Sequence, residues 1–170
     1  MLLTGLAEQL TAVVDRLQAP DTVQPSPVLA RVLAEQTSEV KQVLAHLTSE
    51  SAFRTRAGVR EPLPPASTAQ VAAGALVRSA DPVSTALRDL NAAVACLSRA
   101  DACRDRPPGP ARDQAAAFAH QGLVWSLGSA RRRLAMAATL LRDAAEPQAT
   151  PSISGRVHRG QAIAKSRRRT

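Results

Sequence analysis

Tyrosine is absent from the 170 residues, and tryptophan and phenylalanine together number three. So few aromatics argue against a sheet protein, because strands draw on aromatic and β-branched side chains. They also leave no aromatic set on which RNA bases could stack. Cysteine is scarce as well. Cys96 and Cys103 are seven positions apart on a predicted helix, which separates them by about 10 Å, beyond the reach of a disulfide within that helix. Arg99 and Ala100 occupy the turn between them and neither is a metal ligand, so both cysteines are read as small packing residues with free thiols, in a reducing compartment.

No stretch approaches the 18 or so uninterrupted apolar residues of a membrane span. The opening MLLTGLAEQL has neither the basic start nor the continuous apolar run of a signal peptide. A cytoplasmic location without membrane association is expected. Catalytic signatures are missing too: there is no H-E-x-x-H, no Glu-x-x-His pair, no glycine-rich phosphate loop and no G-x-S-x-G. Of the three histidines, His46 falls on the flank of a predicted helix, His158 lies near the C-terminus, and His120 falls on a helical seam, where a core-edge role is expected. No catalytic, metal or cofactor site and no small-molecule ligand is expected, and the chain is not expected to be an enzyme.

What the chain has in quantity is alanine, 34 residues of it. Alanine loses no side-chain entropy in a helix, so the composition favours an all-α fold with a close-packed aliphatic core. The 12 prolines are grouped at 20/25/27, 62/64/65, 82, 107/108/110 and 147/151, and the runs between them read as helices. Helix 1 is expected over about 4–19, with Leu3, Leu6, Leu10, Val13 and Leu17 at alternating spacings of three and four. Helix 2 starts at Pro27 behind a Ser26 cap and follows Leu29, Leu33, Gln36, Val40, Val43 and Leu47. Glu50 and Arg54 take the next seam positions, so its buried part should end near Leu47, and the helix itself near Ala57, before Gly58.

Helix 3 is expected from about 68 to 104. Asp81-Pro82 has the form of a new helix start, yet Ala69, Ala73, Leu76, Ala80, Val83, Leu87, Leu90, Val94 and Leu97 keep one phase through it. A single helix kinked or briefly broken at Ser79–Pro82 is the primary reading, and two separate helices the alternative. Helix 4 runs from Pro110 to about Ala145, with a seam at Ala116, His120, Leu123, Leu127, Ala130, Leu134, Ala137 and Leu141. Residues 1–146 thus read as an up-down four-helix bundle with a short first helix, and residues 147–170 as a disordered basic tail. Helix 1 should lie antiparallel on the first half of helix 2. Four helices would then meet near the 1–2 and 3–4 connections, and three near the 2–3 loop.

Two features could carry function. Phe118 and Trp125 are seven apart on helix 4, on the far side from its seam. Placed at the expected four-helix end, they either complete the core or form an exposed patch for a partner or a second copy. Gly122 between them would admit another helix closely.

The other feature is charge. The chain carries a formal +8, from 20 arginines and two lysines against 14 acids. Near the 2–3 loop, eight arginines including Arg131, Arg132 and Arg133 face five acids, and the tail adds Arg156, Arg159, Lys165, Arg167, Arg168 and Arg169 with no acid. The primary reading is a non-enzymatic interaction or adaptor bundle. The alternative is a nucleic-acid accessory protein that uses these nine cations for phosphate contacts without base preference. If all six tail cations engage phosphate, deleting 147–170 should flatten the log–log salt dependence of DNA binding by about 5, which an electrophoretic shift assay at two salt concentrations would measure.

Overall fold

The computed structural model describes residues 2–60 and 68–146, and within them the chain is helical with no strand. Its elements are α1 (Leu2–Arg16), a short 3-10 turn (Pro20–Thr22), α2 (Pro27–Arg60), α3 (Thr68–Arg104) and α4 (Pro110–Ala145). The basic tail expected after 146, most of the 2–3 loop and His158 lie outside the described residues.

The start of α2 follows from its sequence. Ser26 Oγ accepts a hydrogen bond of 3.1 Å from the backbone N–H of Leu29, which satisfies one donor that the first helical turn leaves unpaired. Leu29, Leu33, Gln36, Val40, Val43 and Leu47 are all buried. Beyond them Arg54 Nε meets Glu50 Oε1 at 2.7 Å, so the seam continues as a half-exposed ion pair and the helix runs on to Arg60, three residues past the expected end. On α1 the predicted seam Leu3, Leu6, Leu10, Val13 and Leu17 is buried throughout, although the helix begins and ends earlier than its spacing suggests.

Helix α3 passes through Pro82 as one element, so two separate helices are not formed. Proline inside a helix removes one hydrogen bond and costs about 3 kcal/mol. Leu76, Val83 and Leu90 are all completely buried around it, and burying each contributes about 1.5 to 3 kcal/mol. That gain holds the two halves in phase.

The buried face of α3 is rotated from the predicted seam. Leu76, Val83, Leu90 and Leu97 are interior as expected, but their companions are the small residues Ala72, Ser79, Ala86, Ala93 and Ala100. Val94 is exposed, and Ala73, Ala80 and Leu87 are only partly covered. On α4 six of the eight predicted seam positions, Leu123, Leu127, Ala130, Leu134, Ala137 and Leu141, are buried. Ala119, Ser126, Ala130, Ala137 and Ala138 join Leu123, Leu127, Leu134 and Leu141 inside, whereas His120 is exposed and Ala116 partly covered. Small side chains on facing positions let helix axes approach closely, and α3 with α4 forms the most extensive interface of the fold. The seam predicted for α3 thus lies one position past the inward face at 73, 80, 87 and 94.

The position of α1 corrects the expected arrangement. It packs chiefly on α4 and more sparsely on α2. Arg16 pairs with Glu39 at 2.8 Å, and Arg142 donates to Thr11 Oγ1 at 3.1 Å. Thus α1 runs antiparallel alongside the later parts of α2 and α4, and four helices coexist toward the 2–3 connection. At the opposite end the ten residues 17–26 replace a helix: Val23 is buried, and the Pro25 carbonyl accepts from Arg104 Nη2 at 2.9 Å. Prolines 20, 25 and 27 keep this segment from continuing α1.

Candidate interaction surface

The outer face of α4 follows from helical periodicity. Positions separated by 7, 11 or 18 residues project nearly in line, and Phe118, Trp125 and Met136 have those spacings. Trp125 is 73% exposed, Phe118 65% and Met136 50%. The core reading of the two rings therefore fails. Both sit near the end where α1 is replaced by an extended segment, and their phase on α4 is opposite Leu123, Leu127 and Ala130, which are buried. Gln114, Ala117 and Gln121 are exposed beside the rings. From Gln114 to Ala130 there is no aspartate, glutamate, lysine or arginine. A solvent-facing helix in a chain that is 21% charged would ordinarily carry charge over such a length.

The face is presented on a rigid support. A Cβ added to Gly122 would lie 2.8 Å from Cys96 Sγ, so the glycine admits the buried thiol of α3 against the α4 backbone. One turn pair further along, Asp89 accepts from Ser129 Oγ at 2.8 Å and from Arg133 Nε at 3.1 Å, which sets the register of the two helices.

The arginine triplet is divided by the same geometry. Arg131 donates to the backbone carbonyl of Leu17, just past the end of α1, where helix carbonyls lack partners and a cation is favoured. Arg133 pairs with Asp89, and Arg132 points to solvent. Arg131, Arg132 and Arg133 thus have three different surroundings, and the tail cations Arg156, Arg159, Lys165, Arg167, Arg168 and Arg169 lie outside the described residues. Replacing Arg131 by methionine, which keeps the stem and removes the charged donors, should cost about 1 to 2 kcal/mol. Arg132→Met should stay within about 0.5 kcal/mol. Urea unfolding of the two variants would show the difference as separated midpoints.

Two clefts are present elsewhere. One, of about 390 Å³, lies between α1 and α2 among Gln9, Arg16, Glu39, Gln42 and His46. The other, of about 410 Å³, holds Cys103, Arg104, Arg112, Asp113 and His120. In the second, Arg112 is engaged with Asp113 at 2.8 Å and Arg104 with Asp101 at 3.0 Å. Both cysteines are buried and free. Among the described residues no group of three His, Cys, Asp or Glu side chains is arranged to hold a metal, and no helix is long and apolar enough to cross a membrane.

The chain matches no protein-family model, no curated protein and no solved structure. The α4 face brings together the two residues that the sequence singles out and adds Met136, which heptad counting from Trp125 skips because it lies eleven positions on. Three turns of helix is the signal that could have found it.

Proposed function

We propose that this protein is a non-enzymatic interaction module, an adaptor, that docks another protein on the outer face of α4. The observation that carries the reading is the exposure of the chain's single tryptophan, 73% in solvent, on the middle of a helix whose opposite side is core. A tryptophan placed so contributes nothing to the core it turns away from. Aromatic side chains at the centre of an interface commonly carry a large share of binding energy. The absence of charge over Gln114–Ala130 supports the same reading, because charged residues are depleted at interface centres. The free buried thiols fit a cytoplasmic setting, where reduced cysteines persist.

The test is a capture experiment with full-length protein, comparing wild type with Trp125→Ala and Phe118→Ala. Loss of a truncated hot spot weakens binding by roughly 30-fold or more, while each variant should keep the wild-type circular dichroism spectrum. Retention of the same partner with equal affinity by both variants would reject the α4 face. Capture abolished instead by deletion of 147–170 or by nuclease treatment, and unchanged in both α4 variants, would support the nucleic-acid reading in its place.

A further inference from the structure

We propose that the partner received on the α4 face is an acidic amphipathic helix, whose apolar side lies on Phe118 and Trp125 and whose carboxylates meet Arg88, Arg99 and Arg132. The inference rests on the reading of that face as a protein-docking surface and goes further by naming the chemistry of the occupant.

The register of α3 against α4 places the arginines. Cys96 lies at Gly122 and Asp89 at Ser129, so in this antiparallel pair a step forward on α3 is a step back on α4. Arg99 is then level with Ala119, beside Phe118, and Arg88 is level with Ala130, beyond Trp125. Each residue turns a helix by about 100°, so Arg99 lies about 60° round α3 from Cys96, and Phe118 and Trp125 lie about 40° and 60° round α4 from Gly122. Leu97 and Leu123, which turn the other way from the same two residues, are buried. The arginine and the rings therefore flank the outer side of one seam. Arg88, one residue before Asp89, turns outward in the same sense, and Leu90, one after, is buried.

On α4, Phe118, Trp125 and Arg132 follow one another at intervals of seven. The rings are thus bracketed along the seam by Arg99 at one end and by Arg88 and Arg132 at the other. Ala92 and Ala95 are exposed on α3 between them.

These three cations are exposed, and among the described residues none has an acid partner; Arg88 donates to Thr85 Oγ1 at 3.1 Å. Asp89, the one acid of α3 and α4 between the levels of Arg99 and Arg132, is engaged by Ser129 and Arg133. The exposed Asp81 comes level with Ala137, about 18 Å along the seam from Trp125. The surface around the rings therefore carries three uncompensated positive charges and no uncompensated negative one.

A complementary partner presents apolar side chains flanked by carboxylates. Arg88 and Arg99 are eleven residues apart, three turns and about 16 Å, and the rings are seven apart. Both intervals recur on one side of a helix laid along the seam, which can set apolar groups on the rings and carboxylates at the arginines together. A nucleic-acid strand fits less well. The rings are about 10 Å apart with no cation of α4 between them, whereas stacking sites combine their aromatics with a charged groove that tracks the backbone.

The probe is a displayed library of random peptides of about 20 residues, selected against the full-length chain. Peptides with apolar residues at helical spacing, flanked by aspartate or glutamate, should be enriched. On binding, a selected peptide without tryptophan should shift the fluorescence of Trp125, the sole tryptophan, to the blue. Its affinity should fall by at least about tenfold in the double variant Arg88→Glu, Arg99→Glu and in Phe118→Ala. The charge-matched control Lys41→Glu, Arg56→Glu, at exposed positions of α2, should lose less than about threefold, because charges beyond about 8 Å are screened at physiological salt. All of these chains should keep the wild-type circular dichroism spectrum. Selection of neutral or basic peptides, or of none, overturns the acidic partner. Equal loss in the α2 control overturns it too, since that marks bulk attraction to a basic chain. If a single-stranded oligonucleotide of about 20 nucleotides binds at about 150 mM salt and is lost in Arg88→Glu, Arg99→Glu, the face is a nucleic-acid site and the acidic helix falls. If the selected peptides are not acidic yet are lost with Trp125→Ala, the acidic partner falls and the α4 docking surface stands. If Trp125→Ala leaves their binding unchanged, both fall.

Discussion

Leu127→Ala should lower the stability of the protein by about 3 kcal/mol, and Trp125→Ala, two residues earlier and at a far larger side chain, by less than about 0.5 kcal/mol. The contrast follows from burial. Leu127 is completely enclosed and belongs to the contiguous core with Leu123, Leu134 and Leu141. Truncation there removes the transfer free energy of the lost carbons and leaves a cavity that four packed helices can only partly close, which together amount to about 2 to 5 kcal/mol. Trp125 has little area left to lose from the folded monomer. For a chain of this size each kcal/mol moves the melting temperature by about 2 to 4 °C, so thermal unfolding at low protein concentration should separate the two variants by about 10 °C. A comparable fall for Trp125→Ala would mean that the ring is packed in the monomer and would remove the basis of the α4 surface.

The second large effect is a coupling. Gly122→Ala should destabilise the protein by about 1 kcal/mol even though alanine is about 1 kcal/mol better than glycine in a helix, because overpacking a filled interior costs about 1 to 3 kcal/mol. The added carbon would meet Cys96 Sγ at 2.8 Å. Cys96 can relieve the contact by rotating its side chain, but it is buried on α3, and a helix leaves it few alternative rotamers. Removing the sulfur removes the conflict. The double variant Gly122→Ala, Cys96→Ala should therefore be at least as stable as wild type, with a favourable interaction energy of about 1 to 2 kcal/mol between the two sites. Denaturant unfolding of the four members of the cycle measures it. Additive effects would show that the α3–α4 spacing relaxes freely at this point.

Helix positions and types were legible in the chain because proline placement and aliphatic spacing are local properties. Leu3 to Leu17 and Leu29 to Leu47 fall on single faces whatever they pack against. The Ser26–Pro27 start is likewise local: the cap needs a hydroxyl and three residues of backbone. Periodicity also placed Phe118 and Trp125 together, opposite the core stripe of α4. It could not say whether anything covered them, since that depended on how the other helices packed.

Tertiary structure decided the remainder. The direction of α1 is set by contacts with α4, including Arg131 to the Leu17 carbonyl and Arg142 to Thr11, between residues more than a hundred positions apart. It moves the four-helix end to the 2–3 connection. The inward face of α3 was decided by its neighbour. Hydrophobicity favours Leu87 and Val94, but close approach of α4 favours Ala86 and Ala93, whose value lies in the space they leave. A sequence records which side chains are apolar; which of them end up inside depends on the distance between helices, and that distance exists only once both helices are packed.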